Sequence, residues 1–111
     1  MEIYTIGSVV AERRYILSTE AGFPKEVIVR LGAPQQSAEL CGFFCPFEIV
    51  GPGDGKVKRG VGADAFQAVQ LTLKMIGVDL HYYRQGYGPG FYLTNEGDDL
   101  GFPDEAWTEG T

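Results

Sequence analysis

The segment Leu40–Val50, LCGFFCPFEIV, carries the clearest structural pattern in this chain of 111 residues. Every second position in it is apolar: Cys41, Phe43, Cys45, Phe47 and Ile49. An apolar residue at every second position is typical of a β-strand that buries one face. Pro46 cannot donate to a strand ladder, so we expect this strand to lie at a sheet edge or to bulge at that point.

The same pattern places both cysteines of the chain on the buried face of this strand. Residues i and i+4 of a strand lie about 13 Å apart, whereas a disulfide needs Cα atoms within about 7 Å. We therefore predict that Cys41 and Cys45 are reduced, buried and unpaired. Reduced thiols, together with an N-terminus that lacks a secretory pattern, favour a cytoplasmic location.

Further strands are predicted on both sides of this segment. β-branched and aromatic residues between turn-forming residues indicate strands at Val9–Leu17, Lys25–Leu31, Lys56–Val61, Leu80–Arg84 and Gly90–Leu93. Gln35–Glu39 is predicted as a polar connection because it contains no apolar alternation.

One long helix is predicted at Asp64–Ile76. Asp64 and Gln67 have the spacing of a capping box, and Gly77 is a typical residue just past a helix end. Phe66 and Leu73 are expected to anchor the helix in the core. They belong to an apolar stripe at helical spacing that consists of Ala65, Phe66, Val69, Thr72, Leu73, Ile76 and Leu80.

These elements predict a single α+β domain over residues 1–111. We expect an antiparallel β-meander of about four to six strands with one long helix packed on one face. The helix stripe should cover the face of the sheet that holds Phe47 and Ile49. An acidic, glycine-rich segment from about residue 95 closes the chain.

The charge of the chain is unevenly distributed. The net charge is −6, and no basic residue follows Arg84. This balance argues against nucleic acid as the partner, and no apolar run approaches the roughly 20 residues of a membrane span. Acidic and aromatic residues close together suit a surface for a basic protein partner. The candidate residues for it are Tyr82, Tyr87, Tyr92, Asp98, Asp99 and Trp107.

Three residues are candidates for a ligand site: Arg13, Asp64 and His81. Arg13 shares its strand face with Tyr15 and Leu17, so it must be buried with a partner or lie at the rim of the sheet. Asp64 is explained by helix capping, and no nucleophile motif accompanies His81, the only histidine. We predict no catalytic residue, no metal site and no cofactor.

Five short motifs resemble a family of small, uncharacterised bacterial domains. They are Ala11-Glu-Arg-Arg14, Gly32-x-Pro34, Cys45-Pro-Phe47, the helix opening Gly62-Ala-Asp-Ala-Phe-Gln-Ala-Val-Gln-Leu71, and Gly101-Phe-Pro103. The resemblance extends from Ala11 to Pro103, and the helix opening is its most specific part. Because the family has no assigned activity, the resemblance assigns no functional residue. Small domains of this kind often stand alone or lie beside toxin–antitoxin and polymorphic-toxin genes.

The leading interpretation is a non-enzymatic protein-interaction module. An immunity-like protein is one kind of module that this interpretation includes. A small-molecule-binding domain or weak enzyme with a pocket near Arg13, Asp64 and His81 is the alternative. We also predict a weak homodimer. Its contact would be the edge of the Leu40–Val50 strand or the helix face with Leu71 and Val78, since that face is less polar than a solvated one.

Overall fold

The computed structural model describes residues 5–18, 24–51, 55–93 and 99–102. These residues form, in chain order, β1 (Val9–Leu17), β2 (Lys25–Gly32), β3 (Gln35–Ser37), β4 (Gly42–Val50), β5 (Lys58–Gly62), α1 (Ala65–Tyr87), a short 3₁₀ turn (Gly88–Gly90) and β6 (Phe91–Tyr92). All strand pairs are antiparallel. With α1 packed against the sheet, the predicted α+β class is confirmed.

β4 lies inside the sheet and not at its edge. Phe47 pairs with β2 on one side and with β5 on the other, and Phe44 pairs with β3 and β5 in the same way. β2 and β3 therefore follow one another along the same side of β4. On that side of β4, Pro46 lies between the residues that pair with β3 and those that pair with β2. The ladder of hydrogen bonds on this side is already interrupted at Pro46, so the missing N–H of the proline does not break a continuous ladder. β4 as a whole is therefore not an edge strand, but at Pro46 it has a partner on one side only, which agrees with the local edge predicted there and explains how a proline is tolerated.

The inner face of the sheet forms the core together with α1. Alternate residues of β1, β2 and β4 point inward and are buried. They are Tyr15, Leu17, Val27, Val29, Cys45, Phe47 and Ile49. Ile76 and Leu80 of α1, Phe91 of β6 and Leu100 complete the cluster. In it, the Tyr15 and Phe91 rings stack with centroids 5.6 Å apart.

The outer face of the sheet carries a network of ion pairs. Arg30 donates to Glu12 at 2.9 Å and to Glu48 at 3.2 Å, and each of these carboxylates belongs to the residue directly opposite it on a neighbouring strand. Arg14 donates to Glu12 at 3.0 Å and to Glu26 at 2.5 Å. Glu12 and Arg14 of β1 are thus explained by ion pairing on a solvated face, where such pairs contribute little stability individually.

The helix approaches β5 closely because β5 carries glycines on its inner face. A Cβ added at Gly62 would lie 2.5 Å from the Ala68 nitrogen, and one at Gly60 would lie 2.8 Å from the Thr72 nitrogen. Folded proteins do not contain a Cβ atom so close to a nonbonded backbone atom, so any residue other than glycine would push α1 away from β5. The first turns of α1 therefore pack directly against the backbone of β5, and Ala68 and Thr72 are fully buried there.

α1 continues eleven residues beyond its predicted end at Ile76. Gly77 is buried inside the helix, and the strand predicted at Leu80–Arg84 is helical. Burial of Ile76 and Leu80 in the same core stripe outweighs the roughly 1 kcal/mol cost of a helix glycine. The helix ends at Gly88, whose φ of +74° suits glycine. No helix in the described ranges is both long and apolar enough to cross a membrane.

The face that α1 turns to the sheet differs from the predicted one near its N-terminus. Phe66 is 82% exposed, so the prediction that it anchors the core was wrong. Ala68 takes that place because the contact with Gly62 leaves room only for a small side chain. Further along, Thr72, Ile76 and Leu80 are buried as predicted, and Leu73 packs against the core cluster.

The start of the central strand was also predicted too early. Cys41 precedes β4, is exposed and has a φ of +54°, and its N–H donates to Ala38 O at 3.2 Å to close a turn. Its predicted burial was therefore wrong, whereas Cys45 is buried and both thiols are free. Gln35–Ser37, predicted as part of a connection, pairs with β4 as the short strand β3.

Candidate functional site

Residues 99–102 cross the rim of the space between α1 and the sheet, and we call them the strap. Leu100 is buried in the core cluster, and its carbonyl accepts a hydrogen bond from the Tyr15 hydroxyl. The Gly101 carbonyl accepts one from Arg13 Nη1 at 3.1 Å, and its N–H donates to Asp99 Oδ1 at 2.6 Å. Two neighbouring inward positions of β1 therefore hold the strap against the sheet.

Arg13 lies at the rim of the sheet, one of the two positions expected for an inward-facing arginine. Its guanidinium carbon is 5.1 Å from the centroid of the Phe102 ring, a cation–π distance. In the part of the chain that the structure describes, no carboxylate pairs with Arg13, whereas Arg14 and Arg30 pair with two carboxylates each. Arg13 therefore differs from the other arginines of β1 and β2 in its surroundings.

A cleft of about 280 Å³ opens beside Arg13. Its walls are β1, β2, α1 and the strap, and its lining is mostly apolar. The lining residues are Ala11, Glu12, Arg13, Val29, Leu31, Leu73, Ile76, Gly101 and Phe102. Apolar pockets with one or two polar groups are typical of small-molecule sites.

His81 lines a smaller cleft on the other side of Phe102. This cleft has a volume of about 160 Å³, and Arg84, Asp99 and Leu100 also line it. Arg84 donates to the Phe91 carbonyl through Nε at 3.1 Å and Nη2 at 2.8 Å, which fixes its guanidinium. Arg13 and His81 are therefore separated by the strap and do not line the same described cleft.

Asp64 lies away from both clefts, at the N-terminus of α1. Its carboxylate accepts a hydrogen bond from the Gln67 N–H at 2.7 Å, and Gln67 Oε1 accepts one from the Ala63 N–H at 2.6 Å. This pair of bonds is close to the predicted capping box. Helix capping accounts for Asp64 in this structure.

The residues predicted to bind a partner lie on two different layers of the molecule. Tyr82 is exposed on α1, and Tyr87 is the exposed last residue of that helix. Tyr92 pairs with Ile16 on the outer face of the sheet, on the opposite layer. Asp99 begins the strap, and Asp98 and Trp107 lie outside the described residues.

A second groove, of about 550 Å³, runs between α1 and β5. Its apolar floor and sides are Val61, Leu71, Met75 and Val78. Three charged residues also line it: Arg59, Lys74 and Asp79, the last of which pairs with Lys58 at 2.8 Å. The sequence indicated Leu71 and Val78 as an apolar pair, but it did not show that β5 would extend their surface.

Burial changes the acidity of two groups next to these features. Burial raises the pKa of the Tyr15 hydroxyl above its ordinary value, against an opposing effect of Arg13. Burial likewise raises the pKa of the Cys45 thiol. Both groups are therefore protonated at neutral pH, which suits a structural hydroxyl and an unreactive thiol. Within the described ranges, no three His, Cys, Asp or Glu side chains cluster as metal ligands would.

Comparison with known proteins identifies the family of the chain. No curated protein and no solved structure matches it. One family model, described as a domain of unknown function (DUF6968), matches residues 11–104. The match covers all but the first two residues of β1, and it covers β2, α1 and the strap, which with β1 form the cleft beside Arg13. The chain therefore belongs to this family of domains of unknown function.

Proposed function

We propose that the protein is a non-enzymatic interaction module that binds through the solvent-facing side of α1. The observation that carries this proposal is a second apolar row on the helix, which points away from the sheet except at Met75, a partly buried residue that also packs against the core cluster. It consists of Leu71, Met75, Val78 and Tyr82, and we call it the outer row. Leu71, Val78 and Tyr82 are 37%, 58% and 72% exposed.

The spacing of the outer row is that of a helix–helix contact. Its residues are separated by four, three and four positions, the spacing at which apolar residues repeat along packed helices. At 3.6 residues per turn, the four side chains project within about 60° of one another. The core row is centred about a third of a turn away. One helix thus presents two apolar surfaces that meet at Met75, and the sheet fully covers only one of them.

A second copy of the chain is the occupant that this row fits best. The four-three-four spacing reads the same in both directions, so two antiparallel helices related by a two-fold axis align it with itself. With the axis between Met75 and Val78, Leu71 faces the partner's Tyr82 and Met75 faces the partner's Val78. Self-complementary surfaces of this kind form closed dimers, and the contact would cover apolar area that is otherwise solvated.

The charges beside the outer row do not oppose this arrangement. Asp79, on the side toward β5, is paired with Lys58 of the same chain at 2.8 Å. Lys74, on the other side of the row, lies 2.5 positions from the proposed axis. The two Lys74 residues of a dimer are therefore five positions apart along the helices, which is about 7.5 Å at a rise of 1.5 Å per residue. That offset alone is close to the Debye length of about 8 Å at physiological ionic strength, and the lateral spacing of the two helices adds to it, so salt leaves only a weak repulsion between the two charges.

Sedimentation equilibrium tests this proposal. We expect the wild-type chain to show a monomer–dimer equilibrium at micromolar concentrations, and Val78→Glu to shift it toward monomer by at least tenfold. Phe66→Glu is the matched control, because Phe66 is an exposed apolar residue on a different side of the same helix. A wild-type chain that stays at 12.1 kDa across the whole range would overturn the proposal, as would an equal effect of both variants.

A further inference from the structure

We infer that the cleft beside Arg13 binds a small amphipathic carboxylate, with the apolar body inside the cleft and the carboxylate at the Arg13 guanidinium. This site is independent of the outer row of α1. It also differs from the pocket expected from the sequence, since Arg13 contributes to it and Asp64 and His81 do not.

The floor of the cleft favours an apolar body. Val29 and Ile76 are core residues, and Leu31 and Leu73 are partly buried beside them. A volume of about 280 Å³ is near the lower end of the roughly 300–1,000 Å³ of small-molecule sites, so the cleft suits a small ligand. A straight-chain carboxylate of about eight carbons is a small ligand of this kind.

Arg13 retains donors for an anion at the mouth of this cleft. A guanidinium carries five N–H donors in one plane. Gly101 O accepts from Nη1, the Tyr15 hydroxyl is also a hydrogen-bond partner, and the guanidinium carbon lies 5.1 Å from the Phe102 ring centroid. Two oxygen partners do not use all five donors. A carboxylate is the anion that accepts two parallel bonds from the edge of a guanidinium.

The other charged residue of the lining does not repel an anion strongly. The Glu12 carboxylate accepts hydrogen bonds from Arg30 at 2.9 Å and from Arg14 at 3.0 Å, so two guanidinium groups offset its charge. These contacts hold the pKa of Glu12 below its ordinary value, chiefly through Arg30. A single cation beside apolar walls suits one carboxylate better than a polyanion such as a nucleotide, which needs several cationic contacts.

Titration with octanoate, followed by two-dimensional amide and methyl NMR, tests this inference on the whole protein. We expect saturable shifts at Leu73 and Ile76, and an affinity for octanoate at least tenfold higher than for octan-1-ol. Among carboxylates of four to twelve carbons, affinity should be highest near eight. No saturable shift at these methyl groups, or equal affinity for the acid and the alcohol, would overturn the inference.

Three variants separate ligand binding from the role of Arg13 in holding the strap. Arg13→Gln should weaken octanoate binding at least tenfold. Ala11→Leu should do the same by filling the mouth of the cleft while leaving the Arg13 contacts to the strap in place. Arg59→Gln is the matched control, because Arg59 lines the groove between α1 and β5 and not this cleft, and it should bind as the wild type does. Unchanged binding by Ala11→Leu would show that octanoate binds elsewhere.

Discussion

Thr72 of α1 joins the helix to Cys45 of β4 through one fully buried hydroxyl. The hydroxyl donates to the Cys45 carbonyl at 3.0 Å and accepts from the Gly60 N–H of β5, also at 3.0 Å. A buried polar group is stabilising only when it is satisfied. Here a single side chain satisfies two backbone groups on adjacent strands, and so it fixes the position of α1 along the sheet.

Thr72→Val should therefore destabilise the fold by about 1–3 kcal/mol, because it leaves the Gly60 N–H and the Cys45 carbonyl without this partner at nearly unchanged volume. Chemical denaturation measures the change in unfolding free energy. Thr72→Ser keeps the hydroxyl and should cost less than Thr72→Val. A loss that is equal in the two variants would assign the effect to packing and not to the hydrogen bonds.

Gly60→Ala should destabilise the protein by about 1–3 kcal/mol, because the new Cβ forces α1 away from β5. Gly86→Ala is the matched control: Gly86 lies in the last turns of α1 with no atom within 4 Å of an added Cβ. That change should stabilise the helix by up to about 1 kcal/mol. Thermal melts of both variants check the two opposite signs, and a stabilising Gly60→Ala would contradict the close approach.

The two thiols should react at very different rates. Cys41 is exposed in a turn, whereas Cys45 is buried and burial raises the pKa of its thiol. A maleimide or disulfide reagent should therefore modify Cys41 rapidly and Cys45 only at the rate at which the structure opens. Mass spectrometry of labelled peptides over time measures both rates. Comparable rates at the two residues would contradict the burial of Cys45.

Stability should fall at alkaline pH partly through Tyr15. Since burial raises its pKa above the unfolded value of 10.0, the folded state holds the proton more tightly than the unfolded chain. Its contribution is fully present below pH 10 and is lost as pH rises through the higher folded-state pKa. Tyr15→Phe should therefore flatten the alkaline decline in unfolding free energy. Identical pH profiles for the two proteins would exclude this role.

Local pattern was enough to predict most strands. The bounds of β1 agree with the prediction, and β2 extends it by one residue, because alternating apolar residues determine which face is buried. The helix end was mispredicted because Gly77 is a strong local stop signal. The packing of Ile76 and Leu80, which joins distant parts of the chain, outweighs that signal.

The candidate site could be predicted only in part for the same reason. The position of Arg13 on the inner face follows from strand alternation, because residues 13, 15 and 17 share one face and Tyr15 and Leu17 are apolar core residues. Its contact with Gly101 joins residues 88 positions apart, and no local pattern encodes such a contact. The outer row of α1 was visible in the spacing of Leu71 and Val78, but only the length of the helix shows that Tyr82 belongs to it.

Disulfide trapping between two copies tests the central claim, that the outer row of α1 joins two chains, most directly. Chains with Met75→Cys and chains with Val78→Cys, both also carrying Cys41→Ser, are mixed and oxidised. The proposed axis brings positions 75 and 78 of different copies face to face, so cross-linked heterodimers should form faster than either homodimer. An equal mixture of Leu71→Cys and Val78→Cys chains, which are out of register, is the control. Equal trapping in both mixtures, or none in either, would contradict the claim.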